Sequence, residues 1–316
     1  MTNPIVRTLN LKNFTYGNSE QRAQFTEEFA TGLKETGFII LEGHGVDPKL
    51  IDKNYELWQT LFSMDVETKK QYEGINGGHR GYTGFGKEHA KNRTVGDLKE
   101  FWHVGQELPV GHPLSSTYPA NIWPAELPEL RKNALTFYSE LERVARNMLE
   151  ALAMHFDLRP NFFSDMIQNG NSVLRTIHYP PLHESMDPNA IRAAEHEDIN
   201  LITLLVESTA SGLELLTRDG DWMPVKAEKG QIIVDAGDML SRITNEVIPA
   251  TTHRVVNPAG ENSARYSMPF FVHPYSNCLL ETIPACISEE NPEKYPAITA
   301  GEFLYQRLVE NGLIKA

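Results

Sequence analysis

Residues 196–200 read HEDIN and are followed by the apolar segment LITLLVE. His196 and Asp198 both carry side chains that can supply a ligand to one metal ion. Residues i and i+2 of a strand lie on the same face, so we predict that this pair converges at the start of a strand. Polar groups of this kind are costly to bury unpaired. The segment therefore indicates either a solvated strand end or a metal site.

A second triplet of the same type, His155-Phe156-Asp157, shows that the spacing alone does not decide between these two. It lies at the predicted end of a long helix, where residues i and i+2 point about 200° apart. Those two side chains cannot chelate one ion. We interpret this second pair as structural or solvated.

A third ligand for the first pair is available in His253, which begins the predicted strand HRVVN. Two imidazoles and one carboxylate on a β scaffold form the ligand set of non-haem Fe(II) oxygenases. That set leaves coordination positions open for oxygen and a chelating co-substrate. Zinc enzymes also use two histidines and a carboxylate, so the ligand types alone leave the metal open.

Arg265 and Ser267, on the predicted strand RYSMPFFV, favour iron over zinc. The turn NPAGEN predicts a hairpin that brings this strand beside the strand of His253. An arginine fork and a hydroxyl on one face form a binding site for a carboxylate. Tyr179, in RTIHYPPL, can add a contact from another strand. This arrangement suits a small diacid whose other end chelates the metal.

The predicted elements around these residues divide the chain into a helical part and a β part. The segment from Ser19 to Gly37 and the segment from Pro128 to Phe156 have the apolar spacing of amphipathic helices. Ser19 is the predicted N-cap of the first helix, and Gly37 is its predicted stop. From Val173 onward, short apolar runs, of which VLRTIHY is the first, alternate with turn residues, which is typical of a jelly-roll or a barrel. EFWHVG is a predicted strand in the first half. The fold class predicted is α+β, with a jelly-roll core buttressed by N-terminal helices.

The predicted organisation is one folded unit with two regions. Residues 1–125 form a helix-rich N-terminal region. Residues 126–316 contain the long helix, the β core and a C-terminal helix. At 41% hydrophobic residues, the chain can bury a substantial core.

Composition restricts the partners and the location. A net charge of −13 repels phosphate backbones, so we expect no nucleic-acid partner. No apolar segment approaches the roughly 18–20 residues that span a bilayer, so we expect no membrane partner. The N-terminal sequence lacks the pattern of a secretion signal. The two cysteines, Cys278 and Cys286, suit a reducing compartment, and we predict a cytoplasmic protein of unknown oligomeric state.

Several segments resemble the isopenicillin N synthase-like branch of the Fe(II)/2-oxoglutarate-dependent dioxygenase superfamily. They are HEDINLITLL, GLELL, DAGDML, THRVVNP and RYSMPFFV, with TGFIILEGHGV and FSMDVETKK in the N-terminal half. The resemblance implies a double-stranded β-helix with iron at its open end. It implies that the iron ligands are His196, Asp198 and His253. It also implies that the distal carboxylate of 2-oxoglutarate is held by Arg265, Ser267 and Tyr179.

The resemblance also implies a reaction. A small-molecule substrate is hydroxylated, desaturated or cyclised with O2, and 2-oxoglutarate is converted to succinate and CO2. Halogenating relatives lack the carboxylate at the position of Asp198. Two alternatives stay open: a 2-oxoglutarate-independent oxidase of the isopenicillin N synthase type, whose Arg-x-Ser pair holds the substrate carboxylate, and an ethylene-forming enzyme that fragments 2-oxoglutarate. Ile177 departs from the asparagine that plant members carry at this position.

Four further residues are candidates for the substrate pocket: Arg175, Phe271, Tyr82 and Phe85. Arg175 shares a strand face with Tyr179, and Phe271 shares one with Arg265 and Ser267. An ordinary salt bridge at the end of the barrel is the alternative for Arg175, and a place in the hydrophobic core is the alternative for the aromatic residues.

Overall fold

The computed structural model describes residues 5–74, 80–88, 95–184, 186–187 and 189–310. The strands are β1 (Arg7–Asn10), β2 (Phe38–Glu42), β3 (Gly81–Thr83), β4 (Glu100–Gly105), β5 (Val173–Tyr179), β6 (Ala193–His196), β7 (Ile202–Val206), β8 (Leu213–Leu216), β9 (Trp222–Pro224), β10 (Ile232–Ala236), β11 (His253–Val255), β12 (Arg265–Ser267), β13 (Pro269–Val272), β14 (Leu279–Leu280) and β15 (Ile298–Thr299). The helices are α1 (Lys12–Thr15), α2 (Ser19–Thr36), α3 (Pro48–Phe62), α4 (Val66–Lys70), α5 (Pro128–His155), α6 (Phe162–Ile167), α7 (Asp238–Ile243) and α8 (Ala300–Glu310), with 3-10 turns at Pro113–Ser116 and Pro284–Cys286.

Two sheets form the double-stranded β-helix that the sequence predicts. The large sheet has the strand order β1-β2-β10-β7-β13-β5-β4-β3, and β12 pairs with β5 beside β13. The small sheet has the order β6-β11-β8-β9. The pairs in both sheets are antiparallel, except that β1 lies parallel to β2. A separate pair, β14 with β15, precedes the C-terminal helix.

Alternation along β5 explains how the large sheet separates two cores. Leu174 belongs to the core that packs against the helices. Ile177 and Tyr179 point the other way, into a second core that also contains Ala193 and Leu213 of the small sheet. Successive side chains of a strand point to opposite faces, so one strand serves both cores. The second core is the interior of the double-stranded β-helix, where the candidate site lies.

The helices cover the outer face of the large sheet. Helix α5 buries a stripe of side chains that includes Leu130, Phe137, Leu141 and Met148, which recur at helical spacing. It packs against α2 and α3 and contacts β13 and β7. None of the described helices is both long enough and apolar enough to span a membrane.

The first turn of α2 differs by one residue from the prediction. Asn18, and not Ser19, is the N-cap: its side chain accepts a hydrogen bond from the backbone N–H of Gln21, whose side chain accepts from the N–H of Asn18. The helix ends as predicted at Gly37, which adopts φ +73°. A side chain at that position is disfavoured because residues with a Cβ rarely adopt this conformation.

Replacing Asn18 with Ala removes this capping box, and we expect the free energy of unfolding to fall by about 1 kcal/mol. Urea unfolding measures the change. Ser19→Ala is the matched control, since the Ser19 side chain makes no cap bond, and it should leave the midpoint nearly unchanged. A larger loss in Ser19→Ala than in Asn18→Ala would contradict the assignment.

Two predictions of local structure are wrong. The triplet of His196 and Asp198 does not open a strand: His196 is the last residue of β6, and Asp198 lies in the connection to β7. The chain passes there from the small sheet to the large one, so the backbone must leave the strand. The segment NPAGEN does not form a hairpin for a similar reason, because β11 belongs to the small sheet and β12 to the large one.

Candidate metal centre and its cavity

The two histidines of the candidate centre face each other across a pair of strands. His253 at the start of β11 is the register partner of His196 at the end of β6. Their ring centroids are 4.4 Å apart. Residues directly opposite in an antiparallel pair place their side chains on the same face. The register of the small sheet therefore brings the two imidazoles together.

Asp198 completes the cluster from the connection after β6. Its Oδ1 lies 3.8 Å from Nε2 of His196 and 3.9 Å from Nε2 of His253. The three side chains each offer a ligand atom within 4.8 Å of the other two. The cluster is thus compact enough to surround one ion.

The hydrogen bonds of the histidines leave the correct atoms available for a metal. Nδ1 of His196 donates to the carbonyl of Ala194 at 2.7 Å, and Nδ1 of His253 donates to the carbonyl of Thr251 at 3.1 Å. These bonds fix the tautomer and leave both Nε2 lone pairs directed at Asp198. Burial and the neighbouring His253 lower the pKa of His196 to about 4. A neutral imidazole is the form that binds a metal.

A buried polar network orients Asp198. Its Oδ2 accepts a hydrogen bond from the Thr203 hydroxyl, which in turn accepts one from the side-chain amide of Asn200 at 2.8 Å. Asp235 lies beside them, and burial and the negative charge of Asp198 raise its pKa well above the ordinary value. The sequence analysis missed these three residues, since none has a distinctive spacing.

Arg265, a buried arginine that pairs with no carboxylate among the described residues, marks the second part of the site. Arg265 is only 1% exposed. Its Nε donates to the carbonyl of Ala210 at 3.0 Å and its Nη1 to the Ser267 hydroxyl at 3.2 Å. The guanidinium lies 5.0 Å from the ring centroid of Tyr179, its register partner on β5. Within the described residues no carboxylate pairs with it, and an uncompensated buried charge is costly. An anionic ligand would remove that cost.

Arg192 is a second buried guanidinium at this end, and the sequence analysis missed it. It is 1% exposed, and its Nη2 donates to the carbonyl of Ser263 at 2.6 Å. Its Nε has no hydrogen-bond partner in the part of the chain that the structure describes. It lies 6.0 Å from the ring centroid of Tyr179, on which Arg265 also packs. Burial and the charge of Arg265 lower its pKa. Two cations thus concentrate positive potential here.

One cavity joins the candidate metal cluster to the three residues predicted to hold a carboxylate, which we call the carboxylate socket: Arg265, Ser267 and Tyr179. It encloses about 590 Å³, part of it open to solvent. Its lining includes the three candidate ligands and the three socket residues, namely His196, Asp198 and His253, and Arg265, Ser267 and Tyr179. The prediction that the strand of Arg265 pairs with the strand of His253 is wrong, because β12 pairs with β5. The metal cluster and the carboxylate socket instead face each other across the interior between the two sheets.

Two of the four predicted substrate residues line this cavity and two do not. Arg175 and Phe271 belong to the lining. Tyr82 is buried on the helix side, where its hydroxyl bonds to Glu100. Phe85 is 43% exposed and lies outside the cavity lining. Tyr82 and Phe85 therefore lie away from the space that a substrate would occupy.

Arg175 makes the salt bridge that the sequence analysis gave as its alternative, and it lines the cavity as well. Its Nη1 and Nη2 lie 3.0 and 3.2 Å from the two carboxylate oxygens of Glu88. Lys99, which the sequence analysis missed, also lines the cavity and contacts the same carboxylate at 2.8 Å. Together with Glu88, the two cations form an ionic cluster at the cavity wall.

Family models match both parts of the chain. Residues 6–126 match the model described as non-haem dioxygenase in morphine synthesis N-terminal, and residues 170–274 match that of the 2OG-Fe(II) oxygenase superfamily. The 2-oxoglutarate-Fe(II) type oxidoreductase ppzD of Metarhizium rileyi is 31% identical over 96% of this chain and 90% of its own length. The chain belongs to the 2OG-Fe(II) oxygenase superfamily. The azadirone synthase LFS of Melia azedarach is a further relative of this oxygenase, at 29% identity over 86% of the chain and 84% of the relative.

Solved structures agree with the family. A protein of Caulobacter crescentus described as belonging to the 2OG-Fe(II) oxygenase family has a TM-score of 0.88 and 41% identity, covering 97% of this chain and 99% of its own. A full-length protein of Neurospora crassa, solved in complex with alpha-KG and thymine, has a TM-score of 0.87 and 26% identity, covering 98% of both chains. The double-stranded β-helix prediction is confirmed.

These relatives establish the activity class and the cofactors of this oxygenase. It is a non-haem Fe(II)- and 2-oxoglutarate-dependent dioxygenase, and its cofactors are Fe(II), the co-substrate 2-oxoglutarate and O2. The comparisons favour this function over the oxidase and the ethylene-forming alternatives. The donor set fits ferrous iron, since two imidazoles and one carboxylate are the ligand types of non-haem Fe(II) oxygenases.

Proposed function

We propose that His196, Asp198 and His253 bind Fe(II) in this oxygenase. The compact cluster, the two free Nε2 atoms and the hydrogen bonds that hold Asp198 support this assignment. The bound iron, when present, supplies the activation of O2 that is coupled to conversion of 2-oxoglutarate to succinate and CO2. The protein supplies the orientation of the ligands and a cavity of limited access to water.

We also propose that Arg265, Ser267 and Tyr179 hold the distal carboxylate of 2-oxoglutarate. The observation that carries this proposal is the buried Arg265, which has no anionic partner among the described residues and lines the cavity of the three ligands. A guanidinium and a hydroxyl pair well with a carboxylate. Tyr179 packs on the guanidinium and limits its motion. Co-substrate bound there points its other end at the metal ligands.

A small-molecule substrate is proposed to bind where Arg175 and Phe271 line the same cavity. Hydroxylation, desaturation or cyclisation would follow from its position next to the iron.

We further propose that residues 1–125 and 126–316 act as one folded unit, since β2 of the first region lies between β1 and β10 of the large sheet. The two buried, unpaired cysteines, Cys278 and Cys286, support a cytoplasmic location for this enzyme.

The direct test is a screen for substrates with the purified protein, Fe(II), ascorbate and 2-oxoglutarate. We expect that a substrate raises succinate release and that succinate and oxidised product form in equal amounts. Headspace analysis should detect no ethylene. Product formation without succinate would contradict the proposal and favour the oxidase alternative.

Arg192 is expected to strengthen co-substrate binding through its charge. A unit charge several ångströms away contributes on the order of 1–2 kcal/mol at a surface-like dielectric constant. Arg192→Gln should therefore raise the KM for 2-oxoglutarate about fivefold to thirtyfold and leave kcat nearly unchanged. Arg159→Gln, at an exposed ion pair with Asp165, is the control. Equal KM values for the two variants would contradict a role for Arg192.

A further inference from the structure

We propose that the substrate of this oxygenase carries a carboxylate and that Lys99 and Arg175 bind it. This inference rests on the proposed function, since it places the carboxylate in the cavity of the candidate iron ligands. It goes further by stating the chemical class of the substrate. It also assigns a binding role to Lys99.

The two cations lie on the substrate side of the cavity. Arg175 and Tyr179 occupy the same face of β5 and are four residues apart, which corresponds to roughly 13 Å along a strand. Arg265 and Ser267 are the register partners of Tyr179 and Ile177, so Arg175 lies nearer the other end of β5 than the proposed co-substrate residues. Lys99 and Arg175 both line the cavity, and Lys99 is 6% exposed. A ligand inside the cavity can contact both side chains.

The acids that neutralise Lys99 and Arg175 lie outside the cavity lining. Nζ of Lys99 lies 2.8 Å from Oε1 of Glu88 and 2.8 Å from Oδ2 of Asp97. Arg175 binds both oxygens of Glu88, and its Nε donates to Nε2 of His103 at 2.6 Å. Neither Glu88 nor Asp97 belongs to the cavity lining. The acids therefore fix the two cations in place and leave the cavity side of each open.

Counted against the described residues alone, three N–H donors of Lys99 and Arg175 remain for a ligand. A lysine ammonium has three donors and an arginine guanidinium has five. Among the described residues, Glu88 and Asp97 accept two from Lys99, while Glu88 and His103 accept three from Arg175. One donor of Lys99 and two of Arg175 are left. The rings of Phe101 and Phe271 lie 4.3 and 5.4 Å from the guanidinium of Arg175 and restrict its orientation.

The apolar surroundings of these donors favour a substrate group that only accepts hydrogen bonds. The other lining residues of this part of the cavity are apolar: Ile177, Pro269 and Phe271. They offer no side-chain acceptor, so an amide or amine of the substrate would bury an unpaired N–H. An unpaired buried donor costs about 1–3 kcal/mol. A carboxylate has only acceptor sites, and its lone pairs can take all three donors.

The first experiment compares acids with their amides. A panel of small carboxylic acids and their primary amides is tested, one compound at a time, for stimulation of succinate release with Fe(II) and 2-oxoglutarate. We expect acids to be the effective substrates, with kcat/KM at least tenfold above that of the matching amide. A panel in which no acid exceeds its amide overturns the inference.

The second experiment removes each cation together with one of its acids, so that no buried carboxylate is left unpaired. Lys99→Met/Asp97→Asn and Arg175→Met/Glu88→Gln should each lower the acid-to-amide ratio of kcat/KM at least tenfold. Lys229→Met, at an exposed ion pair with Asp52, is the matched control and should keep the ratio. An unchanged ratio in both double variants overturns the inference, and circular dichroism establishes that they fold.

Binding of 2-oxoglutarate separates failure of this inference from failure of the proposed function. Anaerobic addition of Fe(II) and 2-oxoglutarate gives a visible charge-transfer band when the co-substrate chelates the iron. If the wild-type protein gives no band, the proposed ligand set fails and the substrate inference fails with it. If the band forms and amides are consumed as well as acids, only the substrate inference is overturned.

Discussion

Asp198→Ala is expected to abolish iron-dependent turnover. The variant loses the only charged ligand of the proposed set, and the two histidines that remain lie on neighbouring strands of one sheet. We expect the rate of succinate release to fall by about three orders of magnitude or more, which corresponds to roughly 4 kcal/mol. Coupled turnover and Fe(II) binding at equilibrium are the measurements.

The chain contains a matched control for this prediction. His155 and Asp157 have the same spacing as His196 and Asp198, but they lie at the end of α5, where His155 contacts Lys34 and Glu27. Asp157 adopts φ +54°, a conformation that asparagine tolerates. Asp157→Asn should keep full activity, whereas Asp198→Asn should lose it. Retained iron-dependent turnover in Asp198→Asn and Asp198→Ala would exclude Asp198 as a ligand.

Arg265→Leu is expected to raise the KM for 2-oxoglutarate by two to three orders of magnitude. Removing one partner of a buried charge pair costs on the order of 2–5 kcal/mol of binding. In the absence of co-substrate, the same change removes a buried charge that pairs with no carboxylate among the described residues. We therefore expect the melting temperature of the free protein to be equal to or above that of the wild type. Thermal unfolding and 2-oxoglutarate titration measure the two effects.

The comparison with Arg265→Lys makes this prediction specific. Lysine keeps the charge but loses the planar fork that donates to Ser267 and that we propose to bind the carboxylate, so we expect an intermediate KM. If Arg265→Leu instead weakened only the binding of the oxidised substrate, the socket would hold the substrate carboxylate. That result would favour the arrangement of the oxidase alternative.

The sequence predicts most strands, because each shows a short apolar or alternating pattern of side chains between turn residues. The segment VLRTIHY is strand β5 over Val173–Tyr179 as expected, and EFWHVG is strand β4 over Glu100–Gly105. The three candidate ligands also come together. The prediction that His196 and Asp198 converge because they share one face of a strand is wrong, since Asp198 lies after the end of β6. A motif can thus predict a cluster even where the local geometry differs.

Pairings between distant strands could not be predicted in the same way. The turn residues near Ala259 and Gly260 indicated a hairpin, but nothing local shows that β11 and β12 enter different sheets. Lys99 and Arg192 were missed for a related reason. Each is a single cation without a motif, and its position in the cavity or beside Tyr179 depends on contacts with residues far along the chain.

The placement of β2 bears on how relatives of this protein can recombine. β2 comes from the N-terminal region, yet it pairs with β10, and Phe38 on β2 lies 5.7 Å from the ring of His253. A crossover after residue 125 would join two halves from different proteins. These halves must agree in the register of β2 with β10 and in the shape of the aromatic ring beside His253, a proposed metal ligand. Inheritance of the two halves is therefore coupled, even though each has its own family signature.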